Sequence, residues 1–233
     1  MDSLLLPKRQ PGVVVARLGK RLRSLLASRA ARRHALVGSI RHWKSRREFQ
    51  ISFLKRAGLR PDQHLLDIGC GTLRGGLPII AHLDPGHYYG IEVRADVLAE
   101  GRKELHEARL EWKRPVLRVE PELSPLDLGR TFDVIWAFSV LIHLTDERLE
   151  DCFRLVASHL ADGGVFYATV NLAPPHDGTW REFPLVFRPF EFYADVAARH
   201  GLATKDLGRT EDLGVASEDP KIRAAQHMLR FER

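Results

Sequence analysis

The sequence predicts an α/β fold: a doubly wound, mostly parallel seven-stranded sheet with helices on both faces, preceded by an N-terminal helical arm. Three observations predict it. Short apolar runs alternate along the chain with stretches of helix length, the pattern of strands covered on both faces and linked by crossover helices. The segment "HLLDIGCGTLRGG", His64 to Gly76, places an apolar run directly before a glycine-rich turn, as a strand-to-helix connection that presents its backbone to a ligand requires. The charge is divided as well. Residues 1–60 hold 16 of the 36 Lys and Arg against only Asp2 and Glu48, although the whole chain carries a net charge of just +6. A basic arm is therefore joined to a mildly acidic domain, with the boundary expected between residues 38 and 39.

Within the arm, Val14, Leu18, Leu22 and Leu25 recur at helical spacing, and Arg17, Lys20, Arg21 and Arg23 occupy the remaining arc. That is a short amphipathic basic helix. Packing on its own domain or on another subunit is one reading. An anionic membrane surface met through residues 13–33 is a second, and nucleic acid ranks below it, because no aromatic residue precedes Trp43 to stack on a base. A second helix is predicted over Ser39 to Ala57, with Ile40, Trp43, Phe49, Phe53 and Leu54 as its apolar members; it stops at Gly58 with Pro61 just beyond. Strands follow at about 64–69, 88–92, 115–120, 132–140, 164–172, 203–208 and 227–232. Helices fill the gaps at about 74–83, 95–108, 146–161 and 190–200, the third of these opening on Thr145 as N-cap. The last strand is reached through "DLGVASEDP", a loop without helical period, which allows it to enter the sheet antiparallel.

Composition excludes several classes. No apolar run approaches the length of a membrane-spanning helix. Two cysteines, Cys70 and Cys152, are too few for a disulfide framework or a zinc cluster, and they favour a reducing, cytoplasmic compartment. Arg17, Lys20, Arg21 and Arg23 interrupt the only candidate for a secretory signal, whereas composition leaves an arginine-rich transit peptide open.

In an open α/β sheet, ligands sit beyond the carboxyl ends of the strands. The first strand is followed by Gly69, Cys70, Gly71 and Thr72, the second ends at Glu92 and Val93, and the fourth leads into Ser139 to His143. Glu92 lies 21 residues beyond Gly71, where a strand-terminal carboxylate can accept hydrogen bonds from both ribose hydroxyls of a nucleoside. The spelling is D-x-G-x-G-x-x-x-G, and Arg74 occupies the place of the third glycine in a dinucleotide fingerprint. An adenosine-type ligand is indicated and a nicotinamide dinucleotide is not.

These residues, together with "FDVIWAFSVLIHLTDE" and its S-x-L-x-H-L-x-D close, resemble the class I methyltransferases that use S-adenosyl-L-methionine. The resemblance runs over about residues 50–172. It implies that Asp67, Gly69, Cys70, Gly71 and Thr72 wrap the methionine part of that cofactor, with Asp67 reaching its ammonium. By the same resemblance Glu92 takes the ribose, with Val93 and Ser139 alongside, and Glu122 and Leu123 stand where the adenine ring is met. Gly75 and Gly76 also admit a pure packing role.

The acceptor is narrowed by what the motifs lack. An Asn or Asp followed by Pro-Pro and an aromatic, the mark of enzymes acting on exocyclic base amines, does not follow the fourth strand; "NLAPPH" comes after the fifth. Neither cysteine stands where a nucleophile for pyrimidine carbon would be needed. A small-molecule, glycan or lipid-linked hydroxyl is the leading expectation. RNA methylated on ribose or a ring nitrogen, and a non-catalytic cofactor-binding subunit, stand as alternatives. A hydroxyl acceptor needs a base as its proton leaves. His143 is the first candidate and His176 the second, and each also admits a structural reading; no metal is expected. The stretch "APPHDGTWREFPLVFRPF" between the fifth strand and the next helix either lines the acceptor pocket or braces the sheet edge.

Overall fold

The computed structural model describes residue 33 and residues 36–38, 41–123, 125–180, 183–215 and 220–233. The amphipathic stretch at 13–33 lies, Arg33 apart, outside the described residues. Arg41–Arg233 form one compact unit.

The first element is helix α1, Trp43–Arg56, which buries Phe49, Gln50, Phe53 and Leu54. Its stop is the one the sequence predicts. Gly58 adopts φ +97°, and its N–H donates to Lys55 O while the Leu59 N–H donates to Leu54 O. This is a Schellman closure, which needs a left-handed residue after the helix. The chain then alternates as expected through β1 (Leu65–Ile68), α2 (Gly76–His82), β2 (Tyr88–Glu92), α3 (Ala95–Glu107), β3 (Val116–Val119), β4 (Phe132–Ala137), α4 (Asp146–His159) and β5 (Leu160–Asn171). Thr145 caps α4 by accepting from the Arg148 N–H.

Seven strands form one sheet in the order β3-β2-β1-β4-β5-β9-β8, where β8 is Ala203–Arg209 and β9 is Gln226–Glu232. The strands from β3 to β5 are parallel, and β9 enters antiparallel between β5 and β8. The order reverses between β1 and β4, so the crevice for a ligand opens where the glycine turn after β1 faces the turn after β4.

Period-2 alternation sorts the strand residues onto two faces. Leu65, Val134 and Trp136 join Phe53 of α1, Ile80 of α2 and Leu98 of α3 in one core. Leu66, Ile68 and Ile135 join Phe153 of α4 and Val196 of the helix α5, Phe190–Arg199, in the other.

Two stretches differ from the sequence expectation. The stretch after β5, read as a loop, contains the antiparallel pair β6 (His176–Trp180) and β7 (Phe183–Phe187), separate from the main sheet. A short helix α6, Pro220–Ala225, precedes β9; its first residue is a proline, whose fixed φ suits the first helical position. None of the described helices is long and apolar enough to cross a membrane.

Candidate cofactor and acceptor site

The glycine turn is held by its neighbours on both sides. Gly69 has φ +69°, and a Cβ there would stand 2.5 Å from Val140 Cγ2 in the turn after β4. Only glycine lets the two turns approach this closely. The N–H groups of Gly69 and Cys70 both donate to Ile91 O of β2, at 2.9 and 3.0 Å. Cys70 packs its buried side chain into the core, where burial pushes the thiol well above its usual range, so its part in the turn is played by its backbone. Gly75 and Gly76 do serve packing: a Cβ on Gly75 would fall 2.1 Å from Gln50 Oε1 of α1, and one on Gly76 would fall 2.5 Å from the Tyr88 hydroxyl.

Two carboxylates stand at the ends of adjacent strands. Asp67 is buried in β1 and accepts a 2.6 Å hydrogen bond from the Tyr88 hydroxyl of β2. Burial raises its carboxyl to about 7; the Tyr88 hydrogen bond opposes this, nearby Glu92 adds to it, and Arg74 draws it back down. Glu92, also buried, accepts at Oε2 from the Gly71 N–H and at Oε1 from the Arg94 N–H, both at 3.0 Å. The strand-terminal acid is thus locked to the glycine turn by backbone donors. Thr72 is fully buried, and its hydroxyl has no hydrogen-bond partner among the described residues. Val93, next to Glu92, leaves half its surface exposed.

Of the remaining expected residues, Ser139 adopts φ +60° after β4 and its N–H donates to Thr169 Oγ1 at 2.7 Å. Leu123 is buried in the core between the sheet and α4. Glu122 is exposed and makes a two-toothed ion pair with Arg148 of α4.

His143 ends a single 3₁₀ turn, Leu141–His143, beyond β4. Its Nδ1 lies 2.7 Å from Pro184 O of β7. A carbonyl only accepts, so Nδ1 carries the proton and Nε2 holds the lone pair. Trp180 and Phe183 face the ring at centroid distances of 5.6 and 5.9 Å, and Arg94 lies 5.1 Å over Phe183. Burial lowers the His143 pKa, the Pro184 hydrogen bond opposes this, and the charge of Arg94 lowers it further.

His176 is elsewhere. It is exposed, stacks on Phe187 at 4.2 Å, and sets Nδ1 against Pro174 O. It sits at the open end of the β6–β7 pair, opposite Phe187, whereas His143 meets Trp180, Phe183 and Pro184 towards the turn end. The structure does not bring the two histidines together.

Sequence reasoning missed the aromatic and cationic flank of His143 (Trp180, Phe183 and Arg94), because the chain separation hides it. It also read Arg74 only as a broken fingerprint, although Arg74 is the only lysine or arginine buried among the described residues.

The donor set suits S-adenosyl-L-methionine. The site offers a carboxylate for an ammonium, a second carboxylate for vicinal hydroxyls, an apolar side chain beside it, and a turn that has no room for a Cβ at Gly69. Residues 66–166 match the family model described as a methyltransferase domain. The fold is shared with magnesium protoporphyrin IX methyltransferase (ChlM) from Synechocystis PCC 6803, at TM-score 0.60 and 16% identity over 82% of this chain and 79% of that one. It is shared as well with the glycopeptide N-methyltransferase MtfA, at TM-score 0.61 and 17% identity over 78% and 87%. An S-adenosylmethionine-dependent methyltransferase from Clostridium acetobutylicum ATCC 824 gives TM-score 0.61 and 15% identity over 91% and 98%. With this domain match over residues 66–166, this strand order and this site, the chain carries a class I S-adenosyl-L-methionine-dependent methyltransferase domain.

Proposed function

We propose that the enzyme methylates a hydroxyl oxygen on a small-molecule, glycan or lipid-linked acceptor, with His143 as general base. The observation that carries the reading is the tautomer of His143. With Nδ1 donating to Pro184 O at 2.7 Å, Nε2 is the basic nitrogen, and the lowered pKa keeps the ring neutral and ready to accept at neutral pH. S-adenosyl-L-methionine supplies the methyl group on a sulfonium sulfur. The chain has little covalent chemistry of its own to perform beyond holding the reactants in line and keeping water out.

Asp67 binds the ammonium, Glu92 the ribose hydroxyls, and the glycine turn gives the backbone access to both. Trp180 and Phe183 roof the imidazole with apolar surface, which strengthens its hydrogen bond to an acceptor hydroxyl. His143 Nε2 then takes the hydroxyl proton as the oxygen attacks.

His143→Asn tests this, because the Asn amide can still donate to Pro184 O while the basic nitrogen is gone. Turnover is expected to fall about 10²- to 10⁴-fold, the usual range for a lost general base, with affinity for S-adenosylhomocysteine unchanged within a few-fold. Activity of the wild type is expected to rise with pH to a plateau, with its inflection below the ordinary histidine value of 6.5. The acceptor class is found by incubating labelled S-adenosylmethionine with fractionated extract and following label into glycan, lipid, small molecule, protein or RNA. Undiminished turnover in the Asn variant would instead favour a neutral nitrogen acceptor, which sheds its proton after the methyl has moved.

A further inference from the structure

We propose that Arg74, assisted by Arg46, binds the α-carboxylate of S-adenosyl-L-methionine. The inference rests on the cofactor reading above and deepens it by dividing the amino-acid end of the ligand between two opposite charges.

That end of the molecule is a zwitterion. A carboxylate such as Asp67 answers its ammonium, and the carboxylate then calls for a cation within the same turn. Arg74 supplies one from the same strand-to-helix connection. It is 7% exposed, and no other lysine or arginine among the described residues is buried. An arginine taken out of water carries a large desolvation cost. Its planar guanidinium matches a carboxylate with two parallel hydrogen bonds, which a lysine does not reproduce.

Three neighbouring features build the site around it. Leu73, fully buried, holds φ +59° immediately before Arg74, a backbone conformation that a branched side chain adopts only where the surroundings enforce it. Gly75, immediately after, admits Gln50 of α1 against the turn, and Gln50 is itself held by the Trp136 indole N–H at 3.0 Å. Arg46 stands one helical turn before Gln50 on α1 and its backbone carbonyl accepts a hydrogen bond from the Gln50 side-chain amide, so it lies on the helix face that meets the turn. The two guanidiniums are near enough for Arg46 to weaken the charge on Arg74: burial first and Arg46 second bring the Arg74 pKa down to about 9, with Asp67 opposing. Arg74 therefore remains charged at neutral pH, and a bound anion offsets the like charge of Arg46. The buried Thr72 hydroxyl, two residues upstream and without a partner among the described residues, is a further donor for that anion.

The test is a calorimetric titration of the full chain with two compounds: S-adenosylhomocysteine, and its decarboxylated analogue, which keeps the nucleoside, the thioether and the ammonium. The wild type is expected to prefer the first by about 10- to 100-fold, the range for hydrogen bonds to a charged group. Arg74→Met should bring that preference within about threefold by weakening the first compound alone. Arg74→Lys should retain part of it, and Arg46→Met, on a partly exposed helix position, should lower it too. A wild type without preference overturns the proposal, and so does an Arg74→Met protein that keeps the full preference or loses affinity for both compounds equally. Should Arg74→Met not fold, the wild-type preference and the Arg46→Met result decide. Binding of neither compound to the wild type would bring down the cofactor reading itself, an outcome separate from all of these.

Discussion

At the scale of single residues, Asp67 makes opposite demands on the free and the liganded protein. Its carboxyl is buried beneath the Tyr88 hydroxyl and protonates near pH 7 in the folded chain, against 3.8 when free. Between those two values the folded state holds a proton that the unfolded state has released, so the contribution of Asp67 to stability falls as pH rises from about 4 to 7. Above 7 the destabilisation is fully in place. Asp67→Asn is therefore expected to melt a few degrees above the wild type at pH 8, with the difference closing by pH 5. Ligand binding runs the other way, because the proposed contact with the ligand's ammonium requires the ionised carboxylate. S-adenosylhomocysteine should raise the wild-type Tm more at pH 8 than at pH 5.5, since a ligand that binds only the native state stabilises by mass action, and it should barely shift the Asn variant. Thermal melts across that range, with and without the compound, check both halves. A variant no more stable than wild type at pH 8 would remove the argument from burial of the charge.

Among the elements, the β6–β7 pair positions the proposed acceptor chemistry. Pro184 O orients His143, and Trp180 and Phe183 lie beside it. The pair is anchored to the main sheet at its base. Asn171 of β5 donates to Val186 O at 3.2 Å. Arg188, just after β7 and only 12% exposed, pairs with Asp146 at the start of α4 and with Asp177 of β6. Both carboxylates are more than half exposed, so solvent screening keeps the stability contribution of the pairs small. Their effect is geometric. Arg188→Met is expected to leave Tm within a few degrees, to speed amide exchange across 176–187 by about tenfold, a local opening rather than a global one, and to raise KM for the acceptor with cofactor affinity intact. Exchange mass spectrometry reads the opening. Unchanged protection of these amides would show that the pair is held by something other than Arg188.

For the molecule as a whole, the basic arm is the remaining feature, and its residues 1–32 lie outside the described residues. Its charge and its apolar stripe of Val14, Leu18, Leu22 and Leu25 motivate the proposal that it seats the enzyme on an anionic membrane. Each basic residue near such a surface contributes about 1 kcal/mol. Deleting residues 1–38 is expected to release the protein from vesicles containing anionic lipid, without changing methylation of a water-soluble acceptor. Co-sedimentation with those vesicles measures it, and a truncated protein that still sediments fully would defeat the membrane reading. If the arm serves RNA instead, the full chain should bind RNA with a steep log-linear salt dependence that the truncation abolishes.

How far each part was legible follows from the range of the interactions involved. The alternation of strand and helix, the stop at Gly58, the cap at Thr145 and the D-x-G-x-G turn are local. Backbone geometry, capping and period-2 burial act over a few residues, so they can be read along the chain. The parallel sheet and the placement of Asp67 and Glu92 at neighbouring strand ends follow from that alternation, because right-handed crossovers leave few topologies open. What stayed hidden depends on contacts between distant segments. The tautomer of His143 is set by a carbonyl 41 residues away. The outward pairing of Glu122 depends on Arg148, 26 residues on. Gly75 and Gly76 matter because Gln50 and Tyr88 press against them. The sequence by itself determined the fold, the cofactor class and the strand ends at which Asp67 and Glu92 stand, since these rest on local chemistry and a restricted topology. Only the tertiary structure decided which histidine has a free basic nitrogen beside an aromatic wall and that Arg74 is buried in the turn, because burial and hydrogen-bond direction exist only once the segments meet.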